Sequence, residues 1–112
     1  MSLGYTGMCK LLTEDESLVV YSYAGENWND NGKAKPGDSA LQDGMFTIDK
    51  THTIKNVADG LKSGAITINR ECKNAFRKPD VPCDYIAWRL LVHILDCYKK
   101  NGYFPEKDAF IQ

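Results

Sequence analysis

The stretch of residues 84–101 constrains the fold more than any other part of this sequence, because as a helix it is apolar around most of its circumference. Only Arg89, His93 and Asp96 interrupt the apolar and semi-apolar run before the two lysines at its end. Those lysines suit a helix C-terminus, and Gly102 behind them is a stop signal. A helix of about 18 residues is roughly 27 Å long. We therefore predict a long helix that lies across a sheet or also forms an oligomer interface.

The first part of the chain carries strand patterns. Residues 8–12 and 18–23 predict the two arms of a β-hairpin, joined by a polar turn over residues 13–17. Residues 44–50 are echoed at 64–70, where each copy reads Gly, a small or apolar residue, a large apolar residue, Thr, Ile, an acid or amide, and a base. Apolar and polar positions alternate in both copies, which predicts two strands with one face in the core and one face outside.

Helical spacing between the two copies predicts a short helix within residues 51–63, with Thr53 as a cap and Gly60 or Gly64 as the stop. The tail, residues 103–112, is expected to pack back on the core as an extended segment. The predicted fold class is α+β. It consists of a mainly antiparallel sheet of about four strands, with one long C-terminal helix packed on a face and a short helix between strands three and four.

The length of 112 residues predicts one domain over residues 1–112. Within it, residues 1–7 are expected to be disordered or left over from cloning. Residues 24–42 are rich in Gly, Asn, Asp, Lys and Pro and predict a long polar loop. Loops of that length in compact domains are usually functional or disordered.

Charge and cysteine content narrow the partners and the compartment. The net charge is −1, whereas nucleic-acid-binding domains usually have a pI above about 9, so a nucleic-acid partner is disfavoured. No apolar run approaches the roughly 18 residues of a membrane span, so we expect no membrane partner. The N-terminus does not read as a signal peptide. The four cysteines, Cys9, Cys72, Cys83 and Cys97, include no C-x-x-C pair, and we read them as reduced thiols of a cytoplasmic protein.

The polar loop supplies the leading candidate site. Trp28 is flanked by polar and acidic residues, and tryptophan is enriched at binding hot spots. The competing interpretation, which we favour for the indole taken by itself, is that it folds back as a lid on the core. Together with the outward positions of the two echoed strands, the predicted partner-binding residues are Glu26, Trp28, Asn29, Asp30, Thr47, Asp49, Thr67 and Asn69. The acids in this set would favour a basic partner.

A second candidate is the basic stretch of residues 62–78, which could bind RNA or a smaller anion. Its predicted anion-binding residues are Arg70, Lys73, Arg77 and Lys78. The competing interpretation is that these charges complement acids of the same chain or face water. No Tyr, Trp or Gly-rich motif completes a nucleic-acid platform there.

A third candidate is a Cys/His metal site or a small enzyme that uses His93 and Cys97, which share one helical face at i and i+4. A buried core histidine is the interpretation that we favour for His93. Residues 27–38 have the ligand spacing of a calcium loop, but too few of the ligand positions are acidic to favour calcium.

The sequence contains none of the common catalytic or nucleotide-binding motifs. We therefore expect a small cytoplasmic, non-catalytic protein-binding domain that uses the 26–38 loop and the polar strand face. Its expected partner is another protein or a second copy of this chain, and no cofactor or metal is expected.

Overall fold

The computed structural model describes residues 5–27, 43–73 and 75–111 of the chain. It confirms the predicted α+β class, with a short helix between the third and fourth strands and one long helix near the C-terminus. The elements are β1 (Tyr5–Glu14), β2 (Leu18–Asn27), β3 (Gly44–Asp49), α1 (Val57–Ser63), β4 (Ile66–Arg70), α2 (Tyr85–Asn101) and β5 (Lys107–Ile111).

The strands form one antiparallel sheet in the order β4-β3-β2-β1-β5. The first four strands follow one another as neighbours. The fifth lies in the tail, where the sequence indicated only an extended segment, and it pairs with β1. Helix α2 carries the chain from the β4 edge to the β5 edge, and its length explains how one connection spans the sheet.

Both helices pack on the same face of the sheet. Helix α2 contacts β1, β2 and β5, and α1 contacts β4 and α2. Every second residue of β2 and β3 points into this core, which the alternating pattern predicts for β3, and the buried strand residues include Val19, Tyr21, Tyr23, Phe46 and Ile48. Among the described helices, none combines the length and the apolar character that crossing a bilayer requires.

The hairpin is longer than the sequence pattern predicts. Residues 24–27 belong to β2 rather than to the polar loop, and β1 begins at Tyr5, within the segment that was expected to be disordered. Gly25 shows why the pattern was misleading, because a Cβ atom there would lie 2.4 Å from Ile86 Cδ1. A small residue is needed where α2 approaches the strand, so this glycine is part of the sheet and not of a loop.

Both helices begin with a side-chain cap. Asn56, rather than Thr53, caps α1, and its Oδ1 accepts from the backbone N–H of Asp59 at 2.8 Å. Helix α1 ends at Gly64, whose φ of 88° lies in the left-handed region. Asp84 caps α2, and Gly102 follows its last turn with a φ of 79°.

Candidate functional site

The sheet face opposite α1 and α2, which we call the outer sheet face, carries the polar strand positions that the sequence singled out. Thr47 and Thr67 lie directly opposite each other on β3 and β4. The Thr47 hydroxyl donates to Asn69 Oδ1 at 2.7 Å. Thr67 and Asn69 are exposed, and Thr47 is half-buried. The structure therefore brings these three residues together on a surface that faces away from the core.

Asp49 is the last residue of β3, and neighbouring residues hold its carboxylate in place. Its Oδ1 accepts from the backbone N–H of Thr51 at 2.9 Å and from the Thr51 hydroxyl at 2.6 Å. Its Oδ2 lies 3.6 Å from His52 Nε2. The Thr51 hydrogen bonds lower the pKa of the Asp49 carboxyl. Asp49 is therefore a fixed negative charge at this end of the outer sheet face.

A row of β-branched side chains continues the surface across four strands. Thr67 pairs with Thr47, Thr47 pairs with Val20, and Val20 pairs with Thr13 in the strand registers. Val20 is half-buried, and Thr13 is exposed. Short branched side chains opposite one another pack together across neighbouring strands. The polar strand positions are thus one end of a row that crosses the outer sheet face.

The loop half of the predicted site lies mostly outside the described residues. Glu26 belongs to β2, where its backbone lies opposite Thr6 of β1. Trp28, Asn29 and Asp30 fall in the undescribed range, so their part in the site stays a prediction.

Each residue of the basic alternative makes a contact within the chain, through the side chain at Arg70, Arg77 and Lys78 and through the backbone at Lys73. Arg70 Nε donates to the backbone carbonyl of Asp43 at 2.5 Å, and the backbone N–H of Lys73 donates to Asp43 Oδ1 at 3.2 Å. Arg77 forms an ion pair with Glu71, whose hydrogen bond raises the pKa of the guanidinium. The last of the four, Lys78, places its Nζ 4.3 Å from the centre of the Tyr85 ring. These contacts fit the interpretation that the stretch complements its own chain.

His93 is not the buried core histidine that we favoured, because its side chain is 40% exposed. It lies on the side of α2 that faces β5, and its Nδ1 is 3.6 Å from Asp108 Oδ2. Cys97 is half-buried, and its thiol donates to the carbonyl of Tyr103 at 3.9 Å. Within the described ranges, no group of three or more His, Cys, Asp or Glu side chains is placed to hold a metal ion.

Asp84 forms a buried polar network that sequence reasoning missed. Its side chain accepts from the Tyr23 hydroxyl at 2.7 Å, from the backbone N–H of Phe76 at 3.0 Å, and from the N–H groups of Ile86 and Ala87. The Tyr23 hydroxyl in turn accepts from the backbone N–H of Cys72 at 3.2 Å. Burial raises the pKa of the Asp84 carboxyl, and the donated hydrogen bonds oppose that effect. An acid directly before a predicted helix is a recognisable N-cap signal in a sequence. The hydrogen bonds that Asp84 accepts from Tyr23 and Phe76 give no such signal, because those residues lie outside the helix.

Burial also controls the acidity of two of the cysteine thiols. It raises the pKa of Cys9 to about 12 and the pKa of Cys83 to about 11. All four cysteines are free. A thiol with a raised pKa holds little thiolate near neutral pH and is a poor nucleophile. Neither Cys9 nor Cys83 is therefore suited to covalent catalysis.

Comparisons of this chain with protein-family models, with curated proteins and with solved structures give no match.

Proposed function

We propose that this chain is a small, non-catalytic, cytoplasmic protein-binding domain that recognises a basic partner protein through Thr47, Asp49, Thr67 and Asn69. One observation carries the proposal: these polar residues lie together on the outer sheet face, which the helices leave uncovered. An exposed surface with fixed hydrogen-bonding groups suits recognition of another folded surface.

The charge expected of the partner follows from the charge at the Asp49 end of the outer sheet face. Asp49 carries a negative charge that local hydrogen bonds hold in place. The loop half of the predicted site contains two further acids, Glu26 and Asp30. Complementary charge speeds association and rejects partners of the wrong sign. A partner that presents Lys or Arg side chains to this end therefore fits best.

The compartment is part of the same proposal. Four free thiols, three of them buried, are compatible with a reducing environment. They support the cytoplasm as the site of action.

Site-specific photo-crosslinking tests the surface. A photoreactive residue at Thr67 is expected to capture one protein, whereas the same residue at exposed Lys62 of α1 is not. Binding of the captured protein to the purified domain should then weaken roughly tenfold or more on Asp49→Lys, because the substitution opposes a basic partner. Asp96→Lys, at an exposed position of α2 on the other side of the sheet, is the matched control and should leave the affinity unchanged.

A capture that is equal at the two positions, or an affinity that Asp49→Lys leaves intact, contradicts the proposed surface. Capture of a second copy of this chain from Thr67 would show self-association instead of a separate partner. Trp28→Ala tests the loop half of the site: it should abolish binding and spare folding. A loss of several kcal/mol in the free energy of unfolding, which is the cost of truncating a buried Trp, would place Trp28 in the core.

A further inference from the structure

Two lysines face each other on the outer sheet face, away from the polar residues discussed above. Lys10 of β1 and Lys107 of β5 are direct partners in the antiparallel register. Opposite residues of such a pair have Cβ atoms about 4.5–5.5 Å apart. Both side chains are exposed. No carboxylate forms an ion pair with either lysine within the part of the chain that the structure describes.

This arrangement costs stability, and no ion pair among the described residues compensates for it. Like charges directly opposite each other destabilise a sheet. Lysines do protect exposed sheet edges from pairing with other chains, but β1 is an inner strand, so edge protection does not explain Lys10. A residue choice that opposes stability without local compensation is typical of functional positions.

The pair also borders a cavity. A concavity of about 560 Å³ is lined by Met8, Cys9, Lys10, Lys107, Asp108 and Ala109. Met8 and Ala109 are opposite each other in the register, next to the lysine pair and on the same face. They provide an apolar floor beside two positive charges. Asp108 and Cys9 are the intervening residues, whose side chains point to the α2 side, where the Asp108 carboxylate faces His93.

A second cavity with basic side chains in its lining differs from this one, because its positive charges already have partners. A cavity of about 320 Å³ is lined in part by Lys50, His52 and Lys99. There Lys50 pairs with Glu14 at 3.0 Å, and His52 lies 3.6 Å from Asp49. Lys99 donates to the backbone carbonyl of Lys55. The charges of that cavity are engaged, whereas those of Lys10 and Lys107 are available to a ligand.

We infer that the cavity beside Lys10 and Lys107 binds a small organic anion that combines a doubly charged group, such as a phosphate ester, with a short apolar body. Two adjacent ammonium groups match the two charges of such a group. The apolar body would cover Met8 and Ala109. This site is separate from the proposed protein-binding surface, which uses β3 and β4.

Phenyl phosphate at pH 7.5 is a suitable probe, with inorganic phosphate and phenol as its charged and apolar halves. We expect phenyl phosphate to shift the backbone amide resonances of Met8, Lys10, Lys107 and Ala109 in a saturable manner. Inorganic phosphate should bind more weakly, and phenol should not bind detectably. Added sodium chloride should weaken binding, because exposed charges are screened.

Substitutions connect the signal to the two lysines. Lys10→Gln and Lys107→Gln should each weaken phenyl phosphate binding roughly fivefold, the upper range for an exposed charge pair. Lys62→Gln, on α1, should leave binding unchanged. Both test variants should keep or raise the Tm of the ligand-free domain, since each removes a like-charge contact, so that lost binding is not lost folding.

Three results would overturn the inference. One is equal binding by Lys10→Gln and the unmodified domain. Another is equal affinity for phenyl phosphate and inorganic phosphate, which would show that Met8 and Ala109 contribute no apolar contact to binding. The third is a set of shifts spread over all exposed lysines, which would indicate general ion pairing. None of these results bears on crosslinking from Thr67, so the two proposals fail independently.

Discussion

The Asp84 carboxylate joins three parts of the chain that are distant in sequence. It caps α2, accepts from Tyr23 of β2 and fixes the segment before the helix through the N–H of Phe76. Its side chain is completely buried. Removing it leaves four donors without their acceptor in a site that water does not reach, and each such loss destabilises a protein.

Asp84→Ala is therefore expected to lower the free energy of unfolding by about 2–4 kcal/mol, combining a lost cap with unsatisfied buried donors. Tyr23→Phe removes the hydroxyl that donates to Asp84 and should cost about 1–2 kcal/mol. Urea denaturation followed by tryptophan fluorescence measures both changes. A loss below about 0.5 kcal/mol for Asp84→Ala, the range of ordinary surface substitutions, would show that the network contributes little.

The spacing of α1 and β4 depends on a glycine in the middle of a short helix. A Cβ atom at Gly60 would lie 2.5 Å from Ile66 Cδ1 and 2.7 Å from Ile66 Cγ1. Alanine normally favours a helix over glycine by about 1 kcal/mol. Here the close contact should outweigh that gain, because overpacking a core costs about 1–3 kcal/mol.

Gly60→Ala should therefore destabilise the domain, and the double variant Gly60→Ala, Ile66→Val should lose less than the sum of the two single losses. The valine lacks Cδ1, which is the atom nearest to the new methyl group. Chemical denaturation of all four proteins gives the coupling energy. Exposed Ala58→Gly calibrates helix propensity at the neighbouring position. A stabilising Gly60→Ala would mean that α1 moves away from β4 without cost.

The two glycines at helix–strand contacts show how far sequence patterns reach. Alternation and helical periodicity predicted the positions of β3, β4, α1 and α2, because those patterns depend on local burial. The sequence places Gly25 in the loop and offers Gly60 beside Gly64 as a stop signal, since a glycine required by close approach resembles a glycine required by a turn. Contacts between distant segments determine which of the two it is, and these contacts are not visible in a local pattern.

The candidate sites likewise contain some residues that a local pattern can predict and others that it cannot. Thr47, Thr67 and Asn69 could be assigned to one face from period-two patterning alone. The opposition of Lys10 and Lys107 could not, because it requires the pairing of the tail with the first strand. His93 was misplaced for a related reason: its neighbours in sequence are apolar, but the side of α2 that it occupies faces β5 and the Asp108 carboxylate.

The cysteines report on whether the whole chain unfolds as one unit. Cys9 lies in β1, Cys72 follows β4 and Cys83 precedes α2, and all three are buried. Cys97 is half-buried. At pH 8, a thiol reagent should modify one residue of the native domain, Cys97, and the other three should react slowly at a common rate set by global opening. Mass spectrometry of digested samples resolves the four sites, and Cys97→Ser should remove the fast phase.

The same measurement tests how the segment between β4 and α2 is held to the sheet. Tyr23 and Asp84 bind the backbone N–H groups of Cys72 and Phe76, and these hydrogen bonds are among the contacts that connect the segment to the core. In Asp84→Ala, Cys72 and Cys83 should therefore react before Cys9, because the segment opens while the sheet stays folded. Uniform acceleration of all three thiols would instead mean that the network stabilises the domain as a whole. If Cys72 and Cys83 already reacted ahead of Cys9 in the unmodified protein, the segment would open independently and the single cooperative unit would be wrong.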